Sequence, residues 1–375
     1  MRIKLDKTIC DGFGPCATHA PEVFSLDDWG YAATRNGRPI SADHRDGVRR
    51  AILDCPVHAI SELPASTQSS RANSSNDSAA HRRTWSRTWD STAEGWERFA
   101  AVNDEFFSAH SHPDKAKAVG LPGAVGMGNL RFQYQNAMLD CCVPPDLQVA
   151  RYQCRLTELD ILGDRLTAWA VPEPMDDATA AIVVRMGVRN QRDEECAPGR
   201  AILTPSGARP SEAADQGTRP PEPDAATARQ LGIEHWLHRT SDPIHSWPIG
   251  ANDVMRWRIA IAWAARDINA EWTHSPAVPR LFNPFAWNPH YRPAEFPWMP
   301  AVGETPGTRV LNGGIDVHFY TPMEIGDTVT CSARLLDCRI RSGSLGEMLI
   351  LTDEQRWTNP AGALINKIIR STIYY

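Results

Sequence analysis

The sequence lacks the features that would place it on nucleic acid, in a membrane or outside the cell. It has no Lys/Arg run or basic stripe, and its 375 residues carry a formal net charge of only −6, which argues against a nucleic-acid partner. The longest apolar stretch, Ile259 to Ala265, is far too short to span a bilayer. The opening residues MRIKLDKTICDG contain no apolar h-region, so no secretory signal is expected. Nine cysteines, an odd number, without such a signal argue against a disulfide framework and for a reducing, cytoplasmic setting.

Two stretches also lack large apolar side chains. The segment 64–84 begins PASTQSSRANSSNDSAAHRR and cannot bury enough surface to offset its ordering entropy, so it reads as a flexible linker. A second break, 205–228, is richer in proline and acidic residues. The breaks leave a small unit at 1–63 and two longer globular segments, 85–204 and 229–375. Chain length alone makes two or three domains the better expectation.

The longer segments share a layout. In the first, Pro113 to Ala118 and Gly128 to Cys142 read as helices, the second with Leu130, Tyr134, Met138 and Cys141 on one face. Strand runs follow: LQVARYQCRLTEL, GDRLTAWAVP, AAIVVRMGVRN and RAILTP. In the second segment, Asn252 to Asp267 reads as the helix. Its strand runs are RVLNGGIDVHFYTP, GDTVTCSARLLDCRI, EMLILTDEQRWTN and ALINKIIRSTIYY. Period-two strands around one central helix imply an antiparallel sheet wrapping that helix, an α+β architecture duplicated within the chain.

The small N-terminal unit carries Cys10, Cys16 and Cys55, the last followed by Pro56. Three converging thiolates can hold an iron–sulfur cluster. Backbone N–H groups of the Gly12–Gly14 loop would point at its sulfides, Pro56 would shape the turn after the third ligand, and His58 reads as a surface histidine. The bland reading is three small buried cysteines packing as apolar residues. The spacing Cys10-x5-Cys16 … Cys55-Pro56 resembles small bacterial three-cysteine ferredoxins, with Phe13 where a fourth cysteine commonly stands. The text from Pro21 to Tyr31 and from Val48 to Ile60 supports that resemblance. It implies a [3Fe–4S] cluster, or a [4Fe–4S] cluster with one iron lacking a cysteine ligand. It also implies electron transfer, with a ferredoxin reductase and a cytochrome P450 as redox partners. A rival use is an open iron acting as a Lewis acid in hydration, as in aconitase-like dehydratases.

Residues 103–130 (NDEFFSAHSHPDKAKAVGLPGAVGMGNL) resemble the hydratase signature of MaoC-like hot-dog proteins. His110-Ser-His112-Pro113 aligns with that family's H-x-D-P, and Ala116, Gly120, Gly123 and Gly128 follow in register. The resemblance implies that a carboxylate and His110 bracket a water and add it across an enoyl thioester. Gly128 would supply an oxyanion N–H at the start of the central helix. The family's Asp falls on Glu105 and its Asn on Phe107, while Asp104 lies one residue early. His110 could instead be a loop histidine, and Ser111 or His112 simple N-caps.

Residues 245–375 resemble the fatty-acid-synthase-type dehydratase hot dog. Arg309 to Thr330 carries its strand and P-x-x-x-G-D turn. Asp267 and Asn269 fit its Asp-x-Asn, but Trp272 stands at the His/Tyr position, so this half would bind substrate. Phe282 to Trp298 would line an apolar pocket or pack as ordinary core. The expected function is hydration or dehydration of an acyl-CoA or carrier-bound acyl thioester, with the ferredoxin serving a pathway partner. Two alternatives are a thioesterase and an electron-transfer protein whose non-catalytic hot dogs dock on an acyl-thioester enzyme. Homo-oligomers or hetero-complexes are expected.

Overall fold

The computed structural model describes the chain apart from residues 8–9, 11, 13, 27–30, 36–39, 56–58, 64–83, 119, 174–180, 209–223, 238, 289–309 and 344–345. The readings of Phe13, Pro56, His58, residues 64–83 of the first linker, residues 209–223 of the second, and the aromatic stretch beyond Asn288 lie outside the described residues.

The N-terminal unit consists of β1 (Arg2–Leu5), α1 (Pro15–His19), β2 (Phe24–Leu26), β3 (Ala32–Thr34), α2 (Arg45–Leu53) and β4 (Ile60–Leu63). Strands β1 and β4 pair antiparallel, as do β2 and β3. Its own core joins Cys10, Cys16, Phe24, Val48, Ala51 and Ile60. The amphipathic helix α2 turns Val48 and Ala51 into that core and leaves its charged residues outside.

The first longer segment folds as β5 (Trp85–Asp90), α3 (Ala93–Asn103), α4 (Ser108–Ser111), α5 (Pro113–Ala118) and α6 (Gly128–Cys142). Strands β6 (Leu147–Arg155), β7 (Arg165–Pro172), β8 (Ile182–Arg189) and β9 (Gly199–Pro205) follow. The second runs α7 (Ala225–Gln230), β10 (Ile244–His245), α8 (Ala251–Ala262), α9 (Ala270–Thr273), β11 (Val310–Phe319), β12 (Thr330–Gly343), β13 (Gly346–Thr358) and β14 (Leu364–Tyr374).

The ten strands of the two segments form one antiparallel sheet in the order β10-β12-β13-β14-β11-β6-β9-β8-β7-β5. Counted outward from the centre, each half has the same order: its first strand after the helical region, then its fourth, third and second, then a short strand that precedes them all. The halves meet edge to edge where β11 pairs β6, with Ile315 opposite Cys154 and Val317 opposite Tyr152. Arg151 clamps Asp316 across this joint at 2.9 and 2.5 Å, a bidentate geometry that also pins the register. The molecule is thus a small α+β unit followed by a double hot dog.

Helix α6 lies in the grip of this sheet. All ten residues from Leu130 to Leu139 are buried, not only the single face the periodicity marks. Its polar side chains therefore need partners. Gln135 donates to the Ala197 carbonyl at 2.7 Å and accepts from the Tyr152 hydroxyl at 2.9 Å. Gln133 donates to the Leu281 carbonyl of the other half at 3.1 Å.

Helix α8 ends at Ala262, five residues short of the expected Asp267. The reason is the exposed edge of β5. Asp90 N–H donates to the Ala264 carbonyl at 3.0 Å, and Arg266 N–H donates to the Thr88 carbonyl at 2.8 Å. An unpaired strand edge outcompetes another helical turn here. Among the described residues, no helix is long and apolar enough to cross a membrane.

Candidate active site and cluster site

In the N-terminal unit, Cys16 is the second residue of α1, and Cys55 lies two residues beyond α2. Cys10 and Cys16 are buried, and Cys55 is half-buried. Gly12 and Gly14 adopt φ of 66° and 82°, which a side chain would strain, so the loop between the first two cysteines depends on glycine. Burial holds the Cys16 thiol above its usual range; the neighbouring Cys10 and Cys55 push the same way, against the Ala17 amide. Ala32 N–H reaches the Cys10 sulfur at 3.4 Å, and Ala59 N–H reaches the Cys55 sulfur at 3.3 Å. Among the described residues, no three of His, Cys, Asp and Glu converge tightly enough for a single metal ion. A cluster holds its thiolates further apart than a lone ion does, and N–H groups aimed at the sulfurs stabilise it. The donor set fits an iron–sulfur cluster.

The second site forms around the start of α6. His110 sits in α4, and its Nδ1 lies 2.7 Å from the Val125 carbonyl. A carbonyl only accepts, so Nδ1 carries the proton and Nε2 presents its lone pair. That Nε2 faces Glu105 Oε1 at 3.7 Å, so that one water beside the pair can hydrogen-bond to both. Glu105 is fixed from the other side, its Oε2 accepting from Asn103 at 2.9 Å and Asn129 at 2.6 Å. Asn129 follows Gly128, so the pair abuts the first turn of α6. Met127, the N-cap of α6, supplies no side-chain cap, which leaves the helix N–H groups and dipole open there. A Cβ on Gly128 would lie 2.3 Å from Leu156 Cδ1, so a larger residue there would push the Leu156 side chain aside.

Asp104 has no part in that pair. It takes a left-handed conformation, φ 55°, at the C-cap of α3, and its carboxylate accepts from Trp287 N–H at 3.3 Å. Phe107 rests edge-on to the His110 ring at 5.5 Å. His112 is exposed and bonds Ser111 at 2.7 Å. Asp160, fully buried behind Gly126, is ion-paired with Arg131 at 3.2 Å; burial still raises its pKa, with Arg131 opposing.

The second half reaches the site through residues that its Asp-x-Asn text does not mark. Asn283 donates to Asn103 at 3.1 Å, extending the chain Asn283–Asn103–Glu105. Trp287, 60% exposed, donates its indole N–H to the Ala101 carbonyl at 2.8 Å and meets Phe106 edge-on at 5.7 Å. Phe282 and Phe285 are core, packed on Trp257 and Trp357. Asn103, Asn129 and Asn283 escaped the sequence reading. Asn103 and Asn129 do lie beside motif residues, but a lone carboxamide carries no spacing signal.

Asp267, Asn269 and Trp272 sit elsewhere. Asp267 accepts from Thr88 N–H at 3.0 Å and Asn269 from Trp272 N–H at 3.1 Å, as an N-cap of α9. The Trp272 indole donates to Asp140 at 3.2 Å. Asp140 is twelve residues beyond Gly128, about 18 Å along the helix. The structure does not bring the three expected substrate-binding residues together with His110: Asp267 bonds β5, Asn269 caps α9 and Trp272 reaches the far end of α6.

Residues 3–61 match the family described as 4Fe-4S single cluster domains. Over 60 residues the chain is 40% identical to Ferredoxin-1 of Streptomyces griseolus, covering 16% of this chain and 87% of that protein. The chain belongs, through this unit, to the ferredoxin family. Ferredoxin soy of Streptomyces griseus is 38% identical over 60 residues, 16% of this chain and 92% of that protein. Cys10, Cys16 and Cys55 all lie within the 3–61 stretch that this family covers. Residues 239–368 match the family described as the FAS1-like dehydratase domain region. Solved structures that align include a putative MaoC domain dehydratase from Chloroflexus aurantiacus, with TM-score 0.49 and 13% identity over 78% of this chain and 95% of that one. Another is a Mycobacterium tuberculosis protein described as a double hotdog, with TM-score 0.47 and 12% identity over 78% of this chain and 96% of that one.

Proposed function

We propose that the double hot dog hydrates an enoyl thioester, or dehydrates the 3-hydroxyacyl thioester, at Glu105 and His110. The observation that carries this reading is the 3.7 Å gap between His110 Nε2 and Glu105 Oε1, each side chain fixed by its own partners beside the open end of α6. A water beside that pair hydrogen-bonds to Glu105 and gives a proton to His110 as its oxygen bonds to the β-carbon. The enolate oxygen sits on the Gly128 N–H at the positive end of the helix. The proton then returns to the α-carbon, so one water is added across the double bond and no electron is exchanged. Phe106 and Phe107 of the first half and Trp287 of the second border the mouth, where an acyl-CoA or acyl-carrier substrate enters.

Hydration is redox-neutral, so the ferredoxin serves another enzyme. Three cysteine ligands favour [3Fe–4S], and the partners are a reductase that loads the cluster and an acceptor such as a cytochrome P450. A [3Fe–4S] cluster is paramagnetic when oxidised, whereas an oxidised [4Fe–4S] ferredoxin cluster is diamagnetic, so EPR separates them.

Hydration of crotonyl-CoA and of a bulky polycyclic enoyl-CoA should fall about 100- to 10,000-fold in kcat in His110→Ala. Cys10→Ser should abolish the brown colour and leave hydration intact. Loss of hydration in Cys10→Ser with the fold preserved would point to Lewis-acid chemistry at the cluster. No turnover of either thioester by the wild type would leave the docking function as the better reading.

A further inference from the structure

The ferredoxin is not electrostatically self-contained. Arg155, the last residue of β6, donates from its guanidinium to the backbone carbonyl of Cys10, 145 positions away. The same guanidinium lies over the Tyr31 ring, 4.3 Å from its centroid. Lys4 of β1 reaches Glu173 just after β7 at 3.6 Å, so the contact has a second anchor. A cleft between β1 and β7–β9 carries Lys7, Trp169 and Arg200 on its walls.

Arg155 is held by the joint between the two hot-dog halves. Its N–H donates to the Pro198 carbonyl at 3.0 Å. It pairs with Gly314 of β11, and a Cβ on Gly314 would come within 3.0 Å of the Arg155 Cα, so the strands close tightly on it. Leu156 N–H donates to the Gly313 carbonyl at 3.3 Å, and the Leu156 side chain packs inward over Gly128. Neighbouring side chains on an extended chain point to opposite faces. Arg155 therefore faces the ferredoxin from a rigid base, while Leu156 faces the core.

We infer that Arg155 is a positioning residue of the cluster site, a fixed positive charge supplied by the hot-dog body that raises the cluster's reduction potential. The carbonyl it grips belongs to a ligand residue, so covalent geometry keeps the charge within about 8 Å of the Cys10 sulfur. Reduction adds one electron to the cluster and changes no other bond. A positive charge at that range, partly screened by water, favours the reduced form by about tenfold in the reduced-to-oxidised ratio.

The test is a spectroelectrochemical titration of the full-length, cluster-loaded chain. Arg155→Gln should lower the potential by about 59 mV, the one-electron equivalent of that tenfold change. Arg155→Lys, which keeps the charge without the planar fork, should recover most of the wild-type value. Equal potentials in all three proteins would overturn the inference. So would equal shifts in both variants, which would point to packing and not charge. Should Arg155→Gln not retain its chromophore, Arg155→Met removes the same charge while keeping an unbranched side chain and should lower the potential by a similar amount; no shift there would also overturn it.

Discussion

The two hot-dog halves have the same strand order and nearly opposite uses for their polar signatures. In the first, Glu105 and His110 keep one face of each side chain open towards the other, with the remaining polar atoms held by Asn103, Asn129 and Val125. In the second, Asp267 and Asn269 are bonded to backbone N–H groups, and Trp272 is buried against Asp140. Under the proposed function a duplicated fold separates chemistry from support. Polar residues of related motifs face one another beside a helix start in one half, and act as caps in the other, where backbone donors reach them first.

This contrast can be broken most directly by paired substitutions. Glu105→Gln should lower kcat for enoyl-thioester hydration by at least about 100-fold, since the amide cannot accept in the same way from the shared water. Asp267→Asn should leave kcat within about twofold. Steady-state kinetics of the two purified variants decides it, and equal losses would mean that the halves share the chemistry.

A smaller effect concerns stability. Asn269→Ala removes the N-cap of α9 and should cost about 1 kcal/mol in urea unfolding without changing kcat. A change in kcat with unaltered stability would restore the second half to the site.

The smallest effect lies on the ferredoxin-facing side of the first half. Burial raises the Glu195 carboxyl to about 7, against Arg189, the Trp169 indole and Lys7. An acid with a raised folded-state pKa binds more protons folded than unfolded, so its stabilising effect is full at low pH. It is lost as pH rises from the ordinary carboxylate range through about 7. Glu195→Gln should therefore raise Tm more at pH 8 than at pH 5. A uniform Tm change would show that the carboxyl stays ionised throughout.

Much of this could be read from the chain. Strand-like runs located β6 to β9 and β11 to β14, because strands such as β6 and β7 bury one face and keep their alternation in the tertiary structure. Helix α6 was also legible from period, though not its complete burial, which depends on Gln133 and Gln135 finding partners across the sheet. Strand β5 and the early end of α8 were not legible. Six residues with mixed character give little signal, and the stop at Ala262 depends on a strand edge 170-odd positions upstream.

The three cysteines, the hydratase motif around His110 and the duplicated strand pattern are written in local spacing, which is why residues alone pointed to a cluster-bearing unit joined to two wrapped sheets. The choice between Asp104 and Glu105 could not be made that way. It follows from a left-handed turn at the end of α3 that sends one carboxylate to Trp287 and the other to His110. Nor could spacing show that Arg155 grips Cys10 or that Asn283 completes the Glu105 network. Those contacts join residues far apart in sequence, and only the closing of the sheet at β6 and β11 and the packing of the second half on α3 and α6 bring them within reach.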